Sequence, residues 1–301
     1  MRRQNVLFLV TLAAATASGL GHAAAPTGTS SIPNLSGVWA HTSITGYEPL
    51  ASGPTSLKNL SRRGITSDNR QLVGDYKNPI LKPETAKIVK EFGEISLKGI
   101  GYPTPRNQCW PGGIPFVFTT TAIEVLQQPH EITFLYYEDH EVRHVRMNDV
   151  HPKNVTPSWY GDSVGHFEGD TLVIDTVGIK TGPYTMVDRW GTPHSDALHV
   201  IERYRLIDGV AAKEAQEKFE KMDGRVGGEA GAAVIDPDTT VKGLQLEVTI
   251  EDPKIFTMPW SAYVTYRRLG NEWGESVCAE NPVEHYAGEW IGLPKADKPD
   301  F

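Results

Sequence analysis

Proton transfer by imidazole and carboxylate is the first chemistry that the side chains of this chain offer. The run from Trp159 to Gly178, W-Y-G-D-S-V-G-H-F-E-G-D-T-L-V-I-D-T-V-G, reads as two strands joined at Gly169-Asp170. A two-residue loop with glycine first suits a type II′ turn, whose twist matches that of the flanking strands. That register sets Glu168 opposite Thr171, His166 opposite Val173 and Val164 opposite Asp175. Opposite residues share a face and successive residues alternate. Phe167, Leu172 and Ile174 therefore form an apolar side, and Val164, His166, Glu168, Val173, Asp175 and Val177 a mixed one. On the mixed side His166 and Asp175 are diagonal neighbours, with Cβ atoms about 7 Å apart.

Other groups of the same kind flank this hairpin. His140, Arg143 and His144 precede it, and Asp188, Arg189, His194, Asp196 and His199 follow. An aspartate beside an imidazole orients it and raises its basicity, and an arginine holds a carboxylate or an enolate. The catalytic candidates are His166, Asp175, Asp188 and His194; the ligand-binding candidates are His140, Arg143, Trp159 and His199. The competing reading is structural: Arg143 pairs with Glu141 or Asp139, and His166 sits between valines as a packed or solvated group. Trp39, Trp110, Trp159, Trp190 and Trp260 are candidates either for an aromatic pocket or for core packing.

Several chemistries are excluded by spacing. His140 and His144 on a strand lie about 13 Å apart and cannot share an ion. His194 and His199 need a sharp bend to converge, and no zinc-finger or H-E-x-x-H spacing occurs, so no metal is expected. There is no P-loop, dinucleotide fingerprint or G-x-S-x-G elbow, and no cofactor is called for. Ser195 in T-P-H-S-D-A-L-H has a histidine and an aspartate near it in sequence only, which is not triad geometry.

The elements that must position these groups are mostly strands. Besides the hairpin, strand patterns cover Asn34–His41, Ile114–Thr120, Glu124–Gln128, Ile132–Tyr137, Glu141–Met147, Ala197–Ile207, Leu244–Glu251, Ser261–Arg268 and Glu272–Val277. Short strands with turn signals between them predict a mainly β fold, an antiparallel barrel or a related sandwich. Two helices stand apart. Pro83–Ser96 opens on proline and carries an apolar stripe of Ile88, Val89, Phe92 and Ile95. Val210–Met222 is rich in Ala, Lys and Glu, with Asp208 placed to cap it, and begins an insertion over about 208–242. That insertion is either a lid over a barrel mouth or a peripheral decoration, and the second is preferred.

Residues 1–25 read as a signal peptide. Arg2 and Arg3 form its basic start, Val6 to Ala15 its apolar stretch, and small residues at 23–25 its cleavage site. Both Sec and twin-arginine export accommodate this pattern. Residues 26–33 form a linker, 34–285 a single β-rich domain, and 286–301 an extended tail. The formal charge is −8, and loss of Arg2 and Arg3 would make it −10, because 27 basic residues then face 37 acidic ones. That balance argues against nucleic acid and anionic membrane surfaces as partners. No stretch is long enough to span a bilayer as a helix. Cys109 and Cys278 are the two cysteines, which an exported chain pairs as one disulfide.

Two resemblances add to this. Gly37-Val38-Trp39 at the start of the β-rich region resembles the Gly-x-Trp opening of lipocalin-type barrels, which implies a tryptophan closing one barrel end. The segments P-N-L-S-G-V-W (33–39), N-P-I-L-K-P (78–83), C-W-P-G-G-I-P (109–115) and D-H-E-V-R-H-V (139–145) resemble a bacterial family of exported hypothetical proteins. G-D-S-V-G-H-F-E-G-D-T-L-V-I-D-T (161–176), T-P-H-S-D-A-L-H-V-I-E-R-Y (192–204) and E-D-P-K-I-F-T-M-P-W (251–260) extend the likeness. It implies an exported β-rich protein and assigns no catalytic residue. The resulting expectation is a periplasmic or secreted lipocalin-like barrel that binds a small amphipathic or aromatic molecule in its cavity. A cofactor-independent lyase, isomerase or hydrolase and an envelope interaction protein are the alternatives.

Overall fold

The computed structural model describes residues 32–42, 44–60, 72–98, 103–138, 141–223 and 233–278. Alternation of apolar and polar residues runs through nearly every strand and resolves into one closed sheet. In chain order the elements are β1 (Gly37–Ala40), β2 (Glu48–Pro49), α1 (Pro83–Leu97), β3 (Ala122–Gln127), β4 (Glu131–Tyr136) and β5 (Val142–Met147). They continue as β6 (Asp162–Glu168), β7 (Thr171–Val177), β8 (His199–Ile207), α2 (Gly209–Asp223), β9 (Gly243–Glu251) and β10 (Trp260–Arg268).

Strands β1-β3-β4-β5-β6-β7-β8-β9-β10 follow one another around a nine-strand barrel, closed where Trp39 pairs with Arg268 and Ala40 with Arg267. Every neighbouring pair is antiparallel except β5–β6, where Arg146 lies beside Val164 in parallel. Strand β2 adds to β10 through Glu48 and Pro49. The lipocalin-like barrel with peripheral helices is thus the architecture of this chain.

The barrel interior is packed. Ile132, Phe134 and Tyr136 of β4, Leu244, Leu246, Val248 and Ile250 of β9, and Ala262, Val264 and Tyr266 of β10 all point inward and are buried. Each large aliphatic side chain so removed from water is worth roughly 1.5–3 kcal/mol. Trp39 is fully buried, donates its indole N–H to the Leu35 carbonyl (2.8 Å), and carries the Arg268 guanidinium 3.6 Å above its ring.

Irregular segments and α1 pack around Trp190, which is also fully buried. The Tyr47 hydroxyl lies 2.9 and 2.8 Å from the carbonyls of Pro115 and Val187 and ties the segment after β1 to two others. Gly191 adopts φ +77°, and a Cβ there would stand 2.2 Å from the Phe92 ring, so glycine is what lets α1 seat Phe92 against this turn.

Three sequence expectations change. Ile114–Thr120 forms no strand; its centre, Phe116–Thr119, is a short 3₁₀ turn with all four residues buried. Pro115 has no N–H for a ladder, and a run apolar on both sides suits a plug as well as a strand. Glu272–Val277 is irregular, for it lacks alternation and contains Gly274. The buried stripe of α1 is Thr85, Val89, Phe92, Gly93 and Ser96, while Ile88 lies one step off that face and is 42% exposed. The predicted second helix is α2, capped as expected by Asp208, whose carboxylate accepts from the N–H groups of Val210 (2.9 Å) and Ala211 (3.1 Å). It packs on β9 and β10 through Ala212 and Phe219. Gln216 donates its side-chain amide to the carbonyls of Ala40 (3.2 Å) and Thr265 (2.9 Å).

The sulfurs of Cys109 and Cys278 lie at disulfide distance, 2.21 Å, with Cα atoms 5.3 Å apart. Among the described residues no helix is long and apolar enough to cross a membrane. The leader, the linker apart from Ile32 and Pro33, and the predicted tail fall outside the described residues.

Candidate functional site

The hairpin β6–β7 has the register read from the sequence, from Glu168↔Thr171 through His166↔Val173 to Asp162↔Val177. Gly169 takes φ +65°, as the first position of a II′ turn requires. Leu172 and Ile174 face the barrel interior, so the mixed side is the outer surface. His166 stands there with its side chain 53% exposed, its Nε2 3.2 Å from the Glu168 carboxylate. Arg203 approaches the same carboxylate at 2.6 Å and, with His166, holds it below the usual range. His166 therefore pairs with Glu168 and is not brought to Asp175. Replacing it with alanine is expected to move the melting temperature by no more than about 2 °C, since an exposed pair contributes little. A larger fall in a thermal melt would mean that the imidazole supports the fold.

Asp175 has other partners. His151, from the segment between β5 and β6, places Nε2 3.0 Å from Asp175 Oδ1 and Nδ1 2.6 Å from Asp162 Oδ1. His199, at the start of β8, also places Nε2 3.0 Å from Asp175 Oδ1, with Nδ1 3.2 Å from Glu251 Oε2. Arg146 completes the row, 2.8 Å from Asp162 and 2.7 Å from Asp149. Hydrogen bonding to His199 holds Asp175 below the ordinary carboxylate range despite partial burial, and His151 adds to this. The Asp175 contact raises His199 against the opposing pull of burial. The sequence reading contained Asp175 and His199 but missed His151, whose only local signal is a lone histidine before Pro152. Among the described residues no three His, Cys, Asp or Glu are disposed to hold a metal ion.

Arg143 lies inside the barrel. Its guanidinium meets Glu202 end-on at 2.9 and 2.6 Å, and reaches Thr176 (2.7 Å) and Ser163 (3.1 Å). The Tyr204 hydroxyl donates to the same carboxylate at 2.9 Å. The two charged side chains are 1% and 0% exposed. Burial alone would pull the guanidinium down, but Glu202 outweighs it and holds Arg143 above its ordinary value. An external carboxylate would have to displace Glu202 to reach it.

Asp188 and His194 sit in turns. Asp188 accepts from the N–H groups of Trp190 (2.9 Å) and Thr192 (3.3 Å) and from the Thr192 hydroxyl (2.8 Å), which closes the D-R-W-G-T turn. His194 is buried, which lowers its pKa, and its Nδ1 faces the Ser195 carbonyl at 3.3 Å. The Ser195 hydroxyl donates to Asp252 (2.8 Å), so its proton is engaged by a carboxylate and not by an imidazole base. His140 lies outside the described residues.

Trp159 belongs to an aromatic group at the end of the β5–β6 crossover. Its ring meets Trp110 edge-on at 5.3 Å, Trp110 meets Tyr184 likewise at 5.2 Å, and Lys180 lies 4.7 Å over Trp159. All three rings are half-buried. Beside them a cleft of about 10 Å³ is lined by Arg106, Trp110, Phe116, Glu138, Glu141 and Tyr160, with Arg106 and Glu138 paired at 3.0 Å. A second cleft, of about 20 Å³, runs beneath α2 past His41, Ile44, Glu48, Phe219, Glu220 and Tyr263. Each has room for about one water molecule. In the second, burial lowers His41 to about 4 and raises Glu48 above the ordinary carboxylate value.

No protein-family model, curated protein or solved structure matches this chain. Its functional reading therefore rests on the geometry above.

Proposed function

We propose that this is an exported protein that binds a small aromatic or amphipathic molecule on the platform of Trp110, Trp159 and Tyr184, at the rim of the barrel and not within it. The carrying observation is that three half-buried aromatic rings meet edge-on beside the Arg106–Glu138 pair. A ligand ring packed edge-on or offset against this group would add about 0.5–1.5 kcal/mol beyond the area it buries. Lys180 over Trp159 supplies a cation that a ligand anion can meet, and Arg106 with Glu138 offers polar contacts to a head group. The packed interior leads this reading to the rim, because an occupant of the barrel centre would have to displace Phe134, Tyr204 or the Arg143–Glu202 pair. Export is supported by the leader-like start and by two cysteines at disulfide distance, a bond that persists in oxidising compartments.

Titration with a set of ring-bearing amines, phenols and carboxylates, followed by tryptophan fluorescence and thermal shift, tests the platform. At least one compound should quench fluorescence and raise the melting temperature. Trp159→Ala and Tyr184→Ala should each weaken that compound about 3–10-fold while the protein stays folded. Binding unaltered in both variants, or no response across the set, overturns the proposal.

The acid–base reading has one specific observation in its favour, the His151–Asp175–His199 row with a carboxylate at every ring nitrogen. Neither cleft described above touches that row.

A further inference from the structure

We propose that the β5–β6 crossover is held to the barrel by a proton-operated clasp, in which doubly protonated His151 bridges Asp162 and Asp175. Loss of that proton releases residues 149–157 from the outer surface.

The need for a clasp comes from the topology. A parallel pair cannot be joined by a hairpin, so the chain leaving β5 must travel back before entering β6. The far end of this crossover is tied by backbone hydrogen bonds: Ser158 N–H to the Gly178 carbonyl (3.1 Å), Lys180 N–H to the Ser158 carbonyl (2.8 Å), and Ile114 N–H to the Trp159 carbonyl (3.2 Å). The near end is tied at Asn148, whose N–H donates to the Gly165 carbonyl at 2.6 Å. Between these points side chains make the ties. Arg146 reaches Asp149 and the Val150 carbonyl, His151 reaches β6 and β7, and Val155 lies against Gly178. Pro152, Lys153, Asn154, Thr156 and Pro157 are exposed.

The chemistry of the clasp follows from counting hydrogens. A neutral imidazole has one N–H, whereas an imidazolium donates from both nitrogens. His151 faces Asp162 with one nitrogen and Asp175 with the other, and His199 faces Asp175 and Glu251 in the same way. In the neutral form each ring would turn a lone pair toward a carboxylate oxygen about 3 Å away. The charged groups facing the two rings are Arg146 from β5, Asp149 from the crossover, Asp162 from β6, Asp175 from β7 and Glu251 from β9. With both rings protonated three positive charges meet four negative ones; with both neutral, one meets four.

His199 is raised, so its contribution is complete below 6.5 and is lost as pH climbs through the raised value. Asp175 is lowered, so its contribution is present above 3.8 and disappears as pH falls through the lowered value. The network is most strongly held between these limits and loosens on the alkaline side.

Hydrogen exchange of the full chain by mass spectrometry, with a chelator present, reads the clasp without any ligand. After correction for intrinsic rates, peptides covering 148–158, whose Asn148, Val150 and Ser158 amides are hydrogen-bonded, should lose about tenfold in protection between pH 5.5 and 8.5, the scale of one charge-assisted contact. Peptides of β6 and β7 should not change. His151→Gln should exchange fast at both pH values, and His151→Arg, charged throughout, should stay protected at 8.5. Equal protection of the wild type at both pH values, or a His151→Gln variant with the wild-type pH profile, overturns the proposal. So does a pH response that appears only when the chelator is left out, because a bound metal ion would then be the operator.

Discussion

Arg143→Ala should destabilise the protein by about 3–5 kcal/mol. The reason is what stays behind. Glu202 would keep its charge in a fully buried site, with the Tyr204 hydroxyl but no cation to compensate it. Natural domains are stable by only about 5–15 kcal/mol, so the variant would melt on the order of 10 °C lower or fail to accumulate. The pair itself need not be worth that much. Bringing both charges out of water costs nearly what their attraction returns, and apolar replacements of a whole buried pair are often neutral. Arg143→Met combined with Glu202→Leu should therefore recover most of the loss. Thermal melts of the two variants check this directly. An Arg143→Ala protein that melts within 2 °C of wild type would show that Glu202 has found water or a proton.

Opening the Cys109–Cys278 link is the second large effect. The two residues are 169 apart in sequence, and closing so long a loop lowers unfolded-state entropy by an amount equivalent to about 5 kcal/mol. The figure is an upper value in the chain-entropy model, because residual order in the unfolded chain reduces it. Cys278→Ser, or reduction with thiol, should then lower the melting temperature by roughly 10 °C without changing the barrel's circular dichroism at room temperature. Equal melting of oxidised and reduced protein, with two titratable thiols in the reduced form only, would refute a stabilising role.

Much of the fold was legible in local pattern. The β6–β7 register could be written residue for residue because the Gly169-Asp170 turn determines loop length and hand, and loop length determines which residues stand opposite. Strands β4, β9 and β10 were visible because period-two alternation dominates them, running through all of β4, Leu246–Glu251 of β9 and Trp260–Val264 of β10. The segment Phe116–Thr119 was misread since an apolar run without polar alternation carries no period to distinguish a strand from a plug.

The candidate site was less legible, and the reason is distance along the chain. Glu202 lies 59 residues from Arg143, and Glu251 lies 52 from His199. Glu141 and Asp139 were natural partners for Arg143 on sequence proximity, but the carboxylate that meets its guanidinium end-on is Glu202. His151 drew no attention because it stands in a connection whose path depends on the parallel β5–β6 pairing, and nothing local announces that pairing.

By itself the sequence determined that Phe167, Leu172 and Ile174 stand on one side of a hairpin and His166 and Asp175 on the other, because alternation is a property of the extended backbone. Only the tertiary structure decided what each side meets. Closure through the β1–β10 pairing turns the apolar side inward and leaves His166 to Glu168 and water. The crossover then brings His151 to Asp175. Which groups become neighbours across 20 or 60 residues is set by strand order around the barrel, and strand order is a global compromise among all nine strands that no local spacing encodes.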